Sequence, residues 1–514
     1  MIDRRSAATY RGTTKSTQQI GTELGVRYLL EGVVRWAKDG AGVWRARVTP
    51  TLVDAKSGAI KWTGEPAEVT LADPFTAQGT IATDVAKAME VAVLPTERVA
   101  LIRRFTDIPQ AYEAYLRGIN YRDAAARGND WGNPQYNERV AREMATAIAL
   151  DSNFTMAWGW LALSVVRQSM VDAQNPASLD SARVLLRLAQ RRAPDEPLVR
   201  LAAAFAAYSF DHNRAAGIAT AEAAAVRAPH DAYVQFVAGS VLVETQPQKG
   251  TELFVLAAKL DPRSPRYLFG AGWNLMARKQ RRLGQTYVDA ILAIDSADES
   301  GWLLLFQSLA SAGDSVRMRQ FSETMLSRVA HPGYALAGAT IPANRRMSQW
   351  YLNLAASDQR LFSFSDSLIY FDNRIDAEIL LGNTTLGMRD CEEVVRLFNL
   401  KRAQFVATPD ELAIVAYAEA FSGHHFDARR TLARAIDLAR KSTHELYPIG
   451  ELDASRVAPV YDRLGDAEST VAWMDESLRG HATPALYAIH PRLASFRTTQ
   501  AWQDFVKAHP VEAH

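Results

Sequence analysis

Ten histidines, a single cysteine and a few adjacent carboxylates are the side chains here that could bind a metal, form a covalent intermediate or move a proton. The histidines stand at 212, 230, 331, 424, 425, 444, 481, 490, 509 and 514, and only His424-His425 cluster, with Asp427 two residues on. Metal ligands on a helix need i, i+3 or i+4 spacing. Adjacent helical side chains diverge by about 100°, and Ser422-Gly423 before the pair reads as a turn, so solvated turn histidines are expected. Cys391 is followed by Glu392 and Glu393, whose charges raise a thiol pKa. A structural, half-buried cysteine is therefore expected instead of a thiolate nucleophile. Carboxylate pairs such as Asp410-Glu411 and Glu392-Glu393 fall at helix starts or on solvated faces, where charge at a helix N-terminus complements the dipole. The pairs Arg103-Arg104, Arg191-Arg192, Arg281-Arg282 and Arg429-Arg430 are spread along the chain, and solvated faces account for them. There is no Gly-x-Ser-x-Gly elbow, Walker loop, kinase Gly-rich loop, His-Arg-Asp or Asp-Phe-Gly triplet. Gly40-Ala41-Gly42 is a hairpin turn with no helix after it, so it is not a dinucleotide loop. The expectation is no catalytic residue, no metal and no cofactor.

Composition narrows the class further. The chain has 514 residues, 48% hydrophobic and 22% charged, which is ordinary globular composition and enough for roughly two to four domains. Lys+Arg 58 against Asp+Glu 57 leaves a formal charge of +1, too little to hold phosphates, so no nucleic-acid partner is expected. One cysteine excludes an intrachain disulfide framework. Met1 to Lys15 is polar and does not read as a secretory signal. The longest apolar candidate, Leu201 to Phe210, is far short of the roughly 18 residues that span a bilayer. A cytoplasmic protein is expected as encoded, without a membrane span, the alternative being an extracytoplasmic region if the natural protein has a span upstream.

The elements that position these residues fall into two regimes. From about Tyr28 to Trp62 the pattern has the two-residue period of strands. Tyr28 to Trp36 forms a β-rich run, Lys38-Asp39-Gly40-Ala41-Gly42 is a turn, and Val43 to Asp54 alternates Trp44, Ala46 and Val48 against Arg45, Arg47 and Thr49. Lys56-Ser57-Gly58 turns into a short strand ending at Trp62. Pro50 cannot donate to a ladder, which predicts a bulge or an edge there. Flanking helices are predicted from about Ser16 to Leu24, stopped by Gly25, and from Asp73-Pro74 through Ile81, Val85 and Met89.

Beyond about Pro95 nearly everything reads as amphipathic helix, and the helices repeat. Several close on an Ala-rich turn followed by an acidic residue or a proline, giving register marks at 152, 194, 229, 262, 296 and 332. The steps are 42, 35, 33, 34 and 36, so after the first the period is close to 34, the length of a helix–turn–helix unit. Six residues past a mark, 158 and 302 are Trp and 268 is Leu; ten past it, 162 is Ala and 239 and 272 are Gly. An aromatic at the head of the first helix and a small residue where two helices cross are what close packing needs.

With Trp158-x-x-Leu161-Ala162 and Trp302-x-x-Leu305, the unit resembles the tetratricopeptide repeat. The N-terminal part resembles the TolB/FlgO-like module that precedes such repeats in bacterial signalling proteins. The matching stretches are Ser6 to Gly12, Ile20 to Val26, Leu29 to Arg35, Leu52 to Gly58 with Trp62, and the join Ala111 to Gly118. His490-Pro491-Arg492-Leu493, Phe496-Arg497 and Trp502 to Phe505 are similar to the usual last segment of such proteins. The fold class implied is mainly α: a tetratricopeptide-type α-solenoid preceded by a small, incomplete α/β module. In that family the module opens with a further strand and helix. Met1 is thus not expected to be the natural domain start, and an uncovered sheet edge is expected. The divisions are 1–95 for the module, 96–335 for the solenoid, 336–408 for degenerate helical repeats and 409–514 for C-terminal repeats and cap.

A solenoid of this kind lines its concave face with first-helix side chains. Counted from the marks, the inward positions include Arg167, Phe236, Glu244, Phe269, Trp273 and Gln307. Phe269 and Trp273 share a helix face and suit an amphipathic helix or an extended peptide, or else they are core between repeats. The Lys and Asn residues that clamp C-terminal carboxylates in some tetratricopeptide domains are absent at these positions. The function expected is a non-catalytic scaffold that binds a protein or peptide partner, of unspecified oligomeric state. The alternative is the sensor or regulatory tail of a bacterial Ser/Thr kinase, adenylate cyclase or transcription regulator. A third class, an α/α-toroid enzyme, would need paired carboxylates or a metal cluster at the ring centre.

Overall fold

The computed structural model describes residue 2 and residues 4–509, apart from 39–43, 71–73, 90–104, 128–133, 172–175, 212, 244, most of 313–363, 402–406, 442–451 and 479–483. The hairpin turn at Gly40-Ala41-Gly42, Arg103-Arg104, the mark at Pro332, Glu244, and His212, His331, His444, His481 and His514 lie outside the described residues. The chain divides into two compact units, residues 1–241 with 256–264 and residues 242–255 with 265–514.

The first unit opens on α1 (Arg4–Ala8), an element the sequence pattern did not suggest. Its Ser6 hydroxyl donates to the Asp261 carboxylate and accepts from the Arg263 N–H at 2.9 Å. α2 (Thr17–Leu24) begins where expected because Ser16 caps it: Gln19 N–H bonds to the Ser16 hydroxyl and the Gln19 side chain bonds back. It ends at Gly25, whose φ of 64° is left-handed backbone that glycine tolerates. Four strands follow, β1 (Tyr28–Lys38), β2 (Trp44–Asp54), β3 (Ile60–Thr63) and β4 (Ala67–Thr70). β1 and β2 pair antiparallel from Tyr28↔Asp54 to Lys38↔Trp44. β3 and β4, the latter not anticipated, lie end to end along the other side of β2. Pro50 falls in the gap between them: β3 pairing stops at Thr51↔Thr63 and β4 pairing starts at Val48↔Ala67. The register slip sits next to it, between Leu52 and Val53. Ala46 and Leu52 face the interior, and α3 (Pro74–Ala88) completes the module.

The remaining chain is helical hairpins. In order these are α4 (Pro109–Arg127), α5 (Pro134–Leu150), α6 (Thr155–Val171), α7 (Pro176–Arg192), α8 (Pro197–Ser209), α9 (Arg214–Arg227), α10 (Ala232–Leu242), α11 (Pro247–Leu260), α12 (Pro265–Ala277), α13 (Arg281–Ile294) and α14 (Glu299–Ala312). Many start with proline, whose fixed φ suits a first helical position where no N–H partner is needed. First and second helices of a hairpin pack together (α4 on α5, α8 on α9, α12 on α13), and first helices pack on the next first helix (α6 on α8, α12 on α14). That is the tetratricopeptide-type arrangement, so the described residues are mainly α with a small antiparallel sheet at the N-terminal end.

The register marks have a physical basis. The Trp158 indole N–H donates to the Ser152 carbonyl and the Trp302 indole N–H to the Ser296 carbonyl, both at 2.9 Å. Gln235, at the same offset from mark 229, donates to the Ala225 and Ala228 carbonyls at 2.9 Å. The two indoles tie the head of a first helix to the turn before it, and Gln235 ties it to the end of the preceding helix, where a terminus leaves carbonyls open. Small residues sit at the helix crossings. Ala162 is fully buried, and a Cβ on Gly272 would meet Leu304 Cδ2 at 2.5 Å and Tyr287 Cβ at 3.0 Å.

Past the scattered positions of 313–363, the second unit continues with α15 (Phe364–Leu381), α16 (Thr384–Lys401), α17 (Pro409–Phe421), α18 (His425–Lys441), α19 (Ala454–Arg463), α20 (Ala467–Leu478) and α21 (Pro484–Ile489). Two 3-10 turns, Pro491–Leu493 and Phe496–Thr498, then lead to α22 (Gln500–Ala508). α17 is almost wholly buried and packs Ile414, Val415 and Tyr417 with Leu368, Ile375, Cys391 and Val394. Its start is a capping box between Thr408 and Glu411, so Glu411 is at a helix start as expected but buried. His424 and His425 are exposed at the α17–α18 turn, which Gly423 makes with φ 82°. No described helix is long and apolar enough to cross a membrane.

Tight crossings give a stability prediction. A Cβ on Gly217 in α9 would lie 2.9 Å from the Ala204 carbonyl oxygen and 3.1 Å from Tyr208 Cβ, and backbone cannot swing aside. Gly217→Ala is expected to lower stability by about 1–3 kcal/mol, against the gain of about 1 kcal/mol that alanine brings to an unconstrained helix. A urea midpoint equal to or above the parent value refutes the crossing.

Candidate functional site

Two sets of residues are candidates, the first-helix faces and a charged cluster near the C-terminus. On the first unit, Arg167 of α6 is half-buried and its Nη1 donates to the Tyr233 hydroxyl of α10 at 3.1 Å. The Tyr233 ring lies 4.7 Å from that of Trp160, and the Arg122 guanidinium stacks over Trp160 at 4.7 Å. Phe236 is 6% exposed and sits in the core. On the second unit, Phe269 and Trp273 of α12 are half-exposed, with ring centroids 5.6 Å apart. Gln307 of α14 is also half-exposed. α12 carries Arg266 and no carboxylate.

The charged cluster was not legible in the sequence. Asp372 and Asp376 lie one turn apart on α15. Arg492, from the 3-10 turn that follows His490-Pro491, reaches both: Nε meets Asp376 Oδ1 at 2.6 Å and Nη2 bonds Asp372 Oδ1 and the Asp372 carbonyl. The guanidinium lies over the Tyr417 ring at 4.1 Å, and its side chain is 5% exposed. Arg456 of α19 bonds the other oxygen of Asp372 and lies 3.7 Å from Asp410 Oδ2, while Asp410 Oδ1 accepts the Asp453 N–H at 2.7 Å. Asp410 thus stands at a helix start as expected, yet it belongs to this network.

The electrostatics follow from burial against guanidinium charge. Burial works to raise the Asp372 pKa, but Arg492 and Arg456 together hold it below the usual carboxylate range. Asp376, hydrogen-bonded by Arg492 and with the Asp372 charge beside it, is pushed up by burial to about 6, and Asp410 is raised to about 6 chiefly by burial. Burial, then the Arg492 charge, lowers His490 to about 3. Its Nδ1 accepts the Arg492 N–H at 3.3 Å, which requires that nitrogen to be unprotonated. Cys391 is fully buried, not half-buried, and burial, with no contribution resolved from Glu392 or Glu393, pushes its thiol up to about 12.

Asp372 and Asp376 are the paired carboxylates an α/α-toroid enzyme would need, and the structure places Arg492 between them. Both Asp372 oxygens and Asp376 Oδ1 are engaged in ion pairs, so the pair ties α15 to the C-terminal turn and to α19. An adjoining cleft of about 480 Å³ is lined by Phe371, Arg374, Asp390, Arg396 and others, and by none of the network residues. Within it Arg374 pairs with Asp390 at 3.1 Å. Among the described residues no group of three His, Cys, Asp or Glu is placed to hold a metal ion.

Comparison with known proteins adds little detail. No family model matches the chain. Over 191 residues it is 28% identical to "Putative adenylate cyclase 3" of Rhizobium meliloti (strain 1021), which is 37% of this chain and 30% of that protein. The chain therefore matches less than a third of that relative's length. Among solved structures it is similar to the P58(IPK) TPR domain, at 12% identity over 76% of this chain and 99% of that one, with a TM-score of 0.21.

Two outcomes test the network. Arg492→Leu leaves Asp376 without its buried partner and is expected to cost about 3–5 kcal/mol in urea unfolding; a loss under about 1 kcal/mol would show the pairing to be unimportant. His490 is neutral in the fold, whereas the unfolded chain binds a proton below its ordinary pKa near 6.5. Its contribution is therefore complete above pH 6.5 and is lost as pH falls toward 3. The stability advantage of the parent over His490→Asn, which keeps a capping acceptor, should shrink between pH 7 and pH 4. An advantage that does not change with pH contradicts the assignment.

Proposed function

We propose that this chain is a non-catalytic regulatory scaffold that takes a protein or peptide partner on the first-helix faces of its tetratricopeptide-type hairpins. The observation that carries the reading is the half-exposed pair Phe269 and Trp273, on a helix without a carboxylate. A partner helix or extended segment would cover the two rings, with Gln307 supplying a polar contact. On the first unit Arg167 is the corresponding contact, and buried Phe236 supports the face from beneath. The proposed organisation is a TolB/FlgO-like module over 1–95, the solenoid over 96–335, degenerate repeats over 336–408 and C-terminal repeats with a cap over 409–514.

A second reading makes the chain the sensor or regulatory region of a signalling protein such as an adenylate cyclase. The 191-residue likeness to the cyclase named above supports it. In that reading too, no catalysis is assigned to these residues. The coding frame upstream of Met1 distinguishes the two: an open frame into an effector domain favours the second reading, and an in-frame stop favours the first.

Trp273→Ala tests the binding face. A surface role predicts loss of the partner recovered with the parent chain and a nearly unchanged thermal midpoint. If the ring is core between repeats, truncation costs about 3–5 kcal/mol and the midpoint drops by several degrees, which would refute the proposal.

A further inference from the structure

The first helices of the first unit carry few charges, and beyond α4 those charges have one sign. α6, α8 and α10 hold Arg167 and Arg200 and no carboxylate. Arg200 is matched by Asp195, 3.3 Å away in the turn before α8. Arg167 is not matched: its Nη1 donates to the neutral Tyr233 hydroxyl at 3.1 Å, and among the described residues no carboxylate pairs with it. A guanidinium presents five N–H groups in a planar fork, and the side chain is half-exposed. Glu196, the other acid ahead of α8, lies over Gly159, eight residues and about 12 Å along α6 from Arg167.

The surroundings hold this fork in place. Tyr233 and Trp160 are 6% and 5% exposed, with ring centroids 4.7 Å apart, and form a rigid floor. The Arg122 guanidinium of α4 lies 4.7 Å from the Trp160 ring and 5.8 Å from the Tyr233 ring. One neutral tyrosine thus meets a cation at its hydroxyl and another at its face. Like charges gathered on a neutral residue repel, and an anion beside them removes that cost. The fork matches a carboxylate in bidentate geometry. A phosphate suits the place less well. Phosphate sites draw on the open N–H groups of a helix N-terminus, whereas Arg167 stands four residues from the C-terminal end of α6, where the dipole is negative.

We infer that the first unit takes an acidic segment of its protein partner here, with a Glu or Asp carboxylate across the Arg167 fork and the Tyr233 hydroxyl orienting that fork. The inference rests on the reading of the first-helix faces as a binding surface and adds the chemistry of the partner.

Fluorescence anisotropy on the full chain, with a fluorescein-labelled peptide of alternating glutamate and alanine, reads the contact directly. Saturable binding with a Kd of roughly 10–100 µM is expected, and the glutamine–alanine counterpart is not expected to bind. Arg167→Gln, which retains a donor for the Tyr233 hydroxyl, should weaken binding about tenfold, the worth of one charge-assisted contact. Arg167→Lys keeps the charge without the fork and should weaken it only about threefold. Thermal midpoints near the parent value are expected for both. If Arg167→Gln lowers the midpoint, the lysine variant carries the test, and loss of all binding with it overturns the inference. Equal binding of the glutamine peptide, indifference to Arg167→Gln, or tighter binding of a phosphoserine–alanine peptide would each overturn it as well. A chain that recovers its partner through Trp273 yet ignores the glutamate peptide loses this inference alone. One that binds the peptide through Arg167 but recovers its partner equally well as Trp273→Ala supports this inference and loses only the Phe269–Trp273 assignment.

Discussion

A helical hairpin of this kind cannot bury the outer side of its first helix by itself, and the architecture follows from that constraint. α6 is covered by α8, and α12 by α14, so each unit of sequence completes the core of the previous one. The joint between hairpins then has to leave no polar group stranded. Here the same offset from three of the turns supplies a donor, an indole at Trp158 and Trp302 aimed at carbonyls of the turn and an amide at Gln235 aimed at the end of the preceding helix. Close approach of the helices is possible because the crossings are glycine or alanine, as at Gly217 and Gly272.

The C-terminal end solves the same problem by a different route. Instead of another hairpin, a 3-10 turn brings Arg492 onto α15, 116 residues earlier in the chain. Burying a guanidinium is costly unless charge and hydrogen bonds surround it. Asp372, Asp376 and the Tyr417 ring supply that surrounding, and Arg456 draws α19 into the same cluster. His490, neutral chiefly because it is buried and also because Arg492 lies beside it, can accept the N–H that holds the turn.

What the sequence revealed depends on how local each interaction is. The helix from about Ser16 to Leu24, its Gly25 stop and the His424-His425 turn are set by residues a few positions apart and were legible, although the Ser16–Gln19 capping box was not read. The hairpin period was legible because the Trp158 and Trp302 bonds span six residues and recur. The Asp372–Arg492 pair was not, because charged residues 120 positions apart carry no pattern until the helices meet. The same holds for Ser6 with Asp261, which positions α1. β4 was missed because Ala67–Thr70 is four residues long, and only pairing with Arg45–Val48 of β2 defines it. For the first-helix positions, spacing named the helix face without distinguishing core from surface. Phe236 is buried, whereas Phe269 and Trp273 are half-open.

Carboxyl groups with raised pKa mark catalytic sites, but they also mark structural ion networks. Access and commitment separate the two cases. Asp376 and Asp410 both sit near 6 because burial disfavours their charge. Each, however, has an oxygen already taken, by Arg492 in one case and by the Asp453 N–H in the other. A general acid must deliver its proton to a substrate within hydrogen-bond reach, and breaking the Asp376 pair to do so would also loosen the C-terminal turn from α15. Cys391 is barred differently, by burial that keeps its thiol protonated. In the second unit the carboxyl groups with raised pKa at Asp376 and Asp410 are therefore members of the ion network around Arg492 and Arg456.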